Sequence, residues 1–201
     1  MDPTVAKRQG RHGAAHRLRR RSLVVAVTIG LSTMSSAAAA AAGPALHTTP
    51  LGKKSLCTGV QPSAISKVVG YAVPRATMST QTEIIDRKRN VSASQTFCSY
   101  GAGTTAVVLG YETLSSPLPF PVLEQDLKAS ATANKPAGAT YTIAHYEGLG
   151  VQGLYESESG SITLEAILGV QGDKIAGALL EKTKPKKEVA ALTELAMANF
   201  F

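Results

Sequence analysis

The sequence predicts an α+β domain: an antiparallel β-sheet with flanking helices and a C-terminal helix. Three observations lead there. Short runs with β-type alternation, separated by glycine-containing turns, dominate the second half of the chain and read as hairpins. Two longer runs, opening near Pro121 and Pro185, repeat apolar residues every three to four positions and read as helices. The strands follow one another instead of alternating with helices, which favours antiparallel pairing over a parallel sheet.

The elements follow in order. Residues 62–69 form a short helix, with Pro62 in its first turn and Gly70 just past its end; Ala64, Ile65, Val68 and Val69 make its buried side. The polar stretch 75–95, centred on Asp86-Arg87-Lys88-Arg89-Asn90, reads as a solvated loop or hairpin tip; an acidic-partner patch is the alternative. Residues 96–100 and 105–111 are strands joined by a glycine-rich turn. Cys98 and Tyr100 share one strand face, as do Val107, Leu109 and Tyr111. A helix follows Pro121, with Leu123, Leu127 and Ala131 inward. Strands are expected over 140–146, 153–156, 161–170 and 174–180, the last two joined at Gly172-Asp173. The final helix, 187–199, turns Val189, Leu192, Leu195 and Ala196 to the sheet, and the terminal Phe200 and Phe201 rings pack there too.

Residues 1–42 have the layout of a signal peptide, 43–55 of a flexible tether, and 56–201 of one domain. A basic stretch through Arg21 precedes an apolar run at 23–31, and Ala40-Ala41-Ala42 offers a cleavage pattern. Arg20-Arg21-Ser22-Leu23-Val24 loosely matches a twin-arginine signal. Uncleaved, residues 23–42 would reach across a bilayer, since about 20 residues suffice; a membrane association therefore depends on the leader being retained. No cysteine lies near the cleavage region, so a lipid anchor is not expected.

The chain of 201 residues has a formal charge of +7. Seven basic residues and only Asp2 fall in the leader, leaving 14 basic and 13 acidic residues for the rest. Nucleic-acid binding needs a basic surface that neutralises phosphates, and the near-neutral body does not supply one. Cys57 and Cys98 are the only cysteines; in an exported chain they most simply form one bridge. A reactive thiol or a metal pair is the alternative, with no C-x-x-C and no nearby histidine behind it.

Catalytic signatures are scarce. Outside the leader only His47 and His145 remain, and no G-x-S-x-G elbow accompanies them. No spacing suggests a metal site, and no cofactor motif stands out: Gly148-Leu149-Gly150 is too short for a dinucleotide fingerprint. No catalytic residue is assigned. The candidate ligand face is a set of strand residues, Tyr100, Tyr111, Tyr141, His145 and Tyr155, since tyrosines clustered on a sheet can line a groove; the plainer reading is that they are ordinary sheet formers.

The body resembles the secreted actinobacterial proteins of domain-of-unknown-function family 3558. The residues that carry the likeness are Cys57 before the short helix ending at Gly70, then Cys98-Ser99-Tyr100. Glu147-Gly148-Leu149-Gly150 before Val151, the closing strands through Leu180, and the 192–196 helix complete it. A looser likeness is to the extracellular sensor domains of mycobacterial Ser/Thr kinases. The resemblance implies a cell-envelope protein with a curved antiparallel sheet and a Cys57–Cys98 bridge, and it carries over no catalytic residue. Many members have Trp where this chain has Tyr100, and many are lipoproteins. The expected function is that of a secreted or envelope domain, non-catalytic, binding an unknown small molecule, a cell-wall fragment or an envelope protein. An envelope hydrolase using His145 and a structural module of the cell wall are the alternatives.

Overall fold

The computed structural model describes residues 47–49, 55–86, 88–102, 105–134, 138–160, 163–181 and 186–201. The leader and most of the tether lie outside them. Among the described residues the eight strands are β1 (His47–Thr49), β2 (Thr77–Asp86), β3 (Val91–Tyr100), β4 (Val107–Leu114), β5 (Thr140–Tyr146), β6 (Gln152–Ser159), β7 (Thr163–Gln171) and β8 (Lys174–Glu181). Among the described residues the four helices are α1 (Leu56–Gly59), α2 (Pro62–Val69), α3 (Phe120–Asn134) and α4 (Lys186–Phe200). All strand pairs are antiparallel, in the order β1-β2-β3-β4-β8-β7-β6-β5. Two meanders thus meet at β4 and β8. After β4 the chain passes through α3 to the far edge and returns strand by strand to the centre.

The α+β architecture and the C-terminal helix agree with the sequence. Two segments differ. Residues 77–86, read as part of a polar loop, are a ten-residue strand, and the described residues 88–90 form the turn. β2 is polar along its length because it runs near the sheet margin, where main-chain pairing with β3 and not side-chain burial holds it. His47–Thr49, within the stretch read as a tether, pairs with β2 as the edge strand. At the β2–β3 tip, the Asp86 carboxylate accepts the Lys88 and Arg89 N–H groups at 2.8 and 3.0 Å and pairs with the Arg89 guanidinium.

Alternation along the strands divides the sheet into two faces. The first face carries Cys98, Tyr100, Leu109, Tyr111, Ile167, Ala176 and Ala178, and receives α1, α2 and α4. α4 buries Val189, Leu192, Thr193 and Ala196, spaced as one helical stripe. Each large apolar side chain so covered contributes about 1.5–3 kcal/mol. The wholly buried Thr193 turns its hydroxyl to the carbonyls of Val189 (2.9 Å) and Ile167 (3.0 Å). Phe200 meets the Tyr111 ring edge-on at 5.4 Å, whereas Phe201 remains 38% exposed.

Helix α1 is too short to hold itself in place. Three bonds fix it. The Cys57–Cys98 disulfide joins it to β3, with Cα atoms 5.3 Å apart. The Tyr100 hydroxyl, at 3.2 and 3.1 Å from the Cys57 and Val60 carbonyls, donates to them in a shared bond. Asn199 of α4 donates from one amide nitrogen to the Leu56 carbonyl (2.9 Å) and to the Tyr111 hydroxyl (3.2 Å). α2 then starts at Pro62 and stops at Gly70, whose φ of 77° suits a residue without Cβ.

The bridge closes a loop of about 42 residues, for which chain entropy gives roughly 4 kcal/mol of stabilisation. Urea unfolding of the Cys57→Ala/Cys98→Ala variant should show a loss of about that size. Tyr100→Phe, which strands two buried carbonyls, should cost about 1–3 kcal/mol with the disulfide intact.

Candidate functional site

The second face is less completely clad. Among the described helices only α3 packs on it, setting Leu123 and Leu127 against Leu114, Leu154, Val170 and Ile175. Beside this cluster the sheet forms a partly enclosed depression, with about 450 Å³ of atom-free space counting the solvent at its mouth.

The register explains the hollow. Phe97, Gly110, Gly177 and Leu168 are cross-strand neighbours on β3, β4, β8 and β7, and all face the depression. Two glycines side by side in the central strands contribute no side chains to the floor, and Phe97 lies against Gly110 and Leu168 over Gly177. The two glycines differ in what they tolerate. A Cβ at Gly177 would come within 2.6 Å of the Ile167 carbonyl oxygen and collide with Leu168, so the tight packing there requires glycine. A Cβ at Gly110 would meet only the Phe97 ring, at 3.6 Å, an ordinary contact.

One register step away lies a polar row: Gln81, Gln95 and Glu112 on β2, β3 and β4. Gln95 is 1% exposed. Its amide nitrogen donates to Glu112 Oε2 at 3.1 Å and approaches Glu83 Oε1 at 3.4 Å, and its amide oxygen accepts from Gln81. Glu112 is 7% exposed, and its Oε1 is buried with no hydrogen-bond partner. Burial pushes the Glu112 carboxyl up to about 8, against the opposing Gln95 hydrogen bond and with a smaller push from Glu83. Glu156, on the β6 side of the hollow, is pushed up to about 7 by burial and then by the neighbouring Glu158. Among the described residues lining the depression there is no Lys, Arg or His. The chamber is thus an apolar bowl with carboxyl groups at two sides.

The residues proposed from sequence as a ligand face do not come together. Tyr100 and Tyr111 are buried on the first face, where burial raises both phenols. Tyr155 lies on that face too, donating to Glu165 Oε1 at 2.7 Å, with the Lys186 ammonium 3.7 Å above its ring. Tyr141 and His145 lie on the second face at the β5 edge. Tyr141 is half-buried in the α3 cluster, its phenol raised by burial and by Glu158. His145 is exposed, with Nε2 2.8 Å from Glu124 Oε2 and its ring edge-on to Phe120. Glu124 is held below the usual carboxylate range by Lys128 and then by His145. The tyrosines separate because alternation sends every second residue to the opposite face, so strand membership alone does not make a surface.

Sequence reading passed over Gln95, Phe97, Gly110, Glu112 and Gly177. A signal was present: in Val107–Leu114 a glutamate interrupts a strand apolar on both faces, and glycine sits inside both β4 and β8. An isolated acid and interior glycines in buried strands mark a close approach or a cavity.

No family model matches the chain, so the resemblance to family 3558 has no such support. No curated protein matches it either. Among solved structures, the extracellular domain of PknH from Mycobacterium tuberculosis is similar at 10% identity with a TM-score of 0.37, covering 75% of this chain and 98% of that one.

The raised carboxyl sets a pH dependence. Folding lifts Glu112 from its ordinary value of 4.5 to about 8, so the native state holds a proton the unfolded chain releases. The contribution is intact below pH 4.5 and is lost as pH rises through about 8. Glu112→Gln keeps the shape and the Gln95 bond but carries no charge. Compared by urea unfolding across pH 4–9, its stability relative to the parent should rise with pH, reaching roughly 4 kcal/mol near pH 8.

Proposed function

We propose that this chain is an exported, non-catalytic domain that holds a small, largely apolar molecule in the depression on the second face of its sheet. The observation that carries this reading is the glycine-floored hollow lined by a buried carboxyl, one oxygen of which has no hydrogen-bond partner. A buried polar group without a partner costs about 1–3 kcal/mol. A group arriving from outside offsets that cost, and small-molecule sites characteristically combine an apolar bowl with a few convergent polar atoms.

Export is supported by the basic and apolar leader and by the buried disulfide, which forms and persists in oxidising compartments. Release to the exterior or retention in the envelope, and membership of family 3558, belong to the same reading. A binding role is favoured over hydrolysis by the placement of His145. It is engaged with Glu124 and Phe120 at the sheet edge, away from the hollow.

Titrating the purified chain with the uncharged dye Nile red tests the reading. Saturable fluorescence enhancement at one dye per chain is expected. Gly110→Val, which grows a side chain from the floor without a backbone clash, should weaken it at least tenfold while leaving the unfolding midpoint within a few degrees. No saturable binding, or equal binding by the variant, would overturn the assignment.

A further inference from the structure

We propose that the depression takes the ammonium end of an apolar organic amine, with its N–H donating to Glu112 Oε1 and its hydrocarbon lying over the glycine floor between Phe97 and Leu168. This inference rests on the proposed function and specifies the charge of the ligand for that site.

Four observations point the same way. Glu112 Oε1 is the buried, unpartnered atom, whereas Oε2 is already engaged by Gln95. Once the carboxyl is ionised the free position is an acceptor, and an ammonium N–H matches it. Glu156 supplies a second carboxyl on the opposite side, and Glu83 lies behind Gln95. Among the described residues, no positively charged side chain lines the hollow to neutralise them. With both carboxyls ionised, an anionic ligand would add a third charge of the same sign in a region of low dielectric, where such repulsion is strongest. An ammonium supplies the missing counter-charge through a charge-assisted hydrogen bond, about twice as strong as a neutral one. Finally, the Phe97 ring stands over the glycine floor, and aromatic faces attract cations. The remaining wall, from Leu127, Ala166, Leu168 and Ile175, is apolar and suits hydrocarbon.

The rival ligand chemistry is a neutral molecule that accepts a hydrogen bond from a protonated Glu112. The two separate by displacement of bound Nile red with n-octylamine, n-octanol and n-octanoate at pH 8.5. That pH is above the value of about 8 for Glu112 and below about 10.4 for a lysine-like ammonium. Octylamine should displace the dye at a concentration about tenfold or more below octanol, and octanoate should be the weakest. In Glu112→Gln the amine should fall to the level of the alcohol, while the alcohol changes by no more than about twofold. Octanol equal to octylamine, or an amine preference that survives Glu112→Gln, overturns the charge assignment and leaves the depression as a site. If Glu112→Gln does not fold, the amine-to-alcohol ranking on the parent chain decides. Absence of Nile red binding overturns this inference together with the reading it rests on.

Discussion

Apolar coverage of a broad sheet is the constraint from which the rest of this structure follows. The central strands β4 and β8 are largely apolar, because they are buried on both faces. Helices α1, α2 and α4 meet the first face and produce a continuous core. The second face has α3 alone among the described helices, and α3 reaches one part of it. The sheet responds with its own side chains: Phe97 and Leu168 lean over the adjacent glycines and limit the exposed apolar area. What remains between them is the hollow.

The two faces therefore carry different duties. The first is locked by bonds of several kinds, since the disulfide, the Tyr100 hydroxyl and the Asn199 amide all converge on the short α1. These bonds fix β3 and β4 from behind, and the same strands present Phe97, Gly110 and Glu112 on the other side. Rigidity on one face thus becomes pre-organisation on the other, which lowers the cost of binding. The buried Glu112 is the counterpart. A carboxyl placed in an apolar wall weakens the fold, and a strand evolved for stability alone would carry an apolar residue there.

Much of the architecture was legible in the sequence because it rests on local physics. Pro62 and Gly70 bound α2 as their backbone preferences require, and Leu123, Leu127 and Ala131 fall on the buried side of α3. The turn at Gly172 joins β7 to β8 as expected, and the two cysteines meet. β2 was hidden because its polar residues give no burial signal, its place being set by pairing with β3. The site was hidden for a related reason. Gly110 and Gly177 come from strands 67 positions apart in the chain, and only the β4–β8 register sets them side by side. Tyr100 and Tyr155 stood out by residue type, yet their strand phase commits them to the core.

The glycine-floored hollow is the place proposed for a ligand. Amide chemical-shift mapping on the isotope-labelled chain tests it most directly, because glycine amides resonate in a sparsely populated region of the spectrum. Titration with octylamine should move the Gly110 and Gly177 amides first, together with those of Gln95, Phe97, Glu112 and Leu168, and leave the α4 amides in place. Shifts confined to α4 or to the β5 edge, or none at saturating amine, would contradict it.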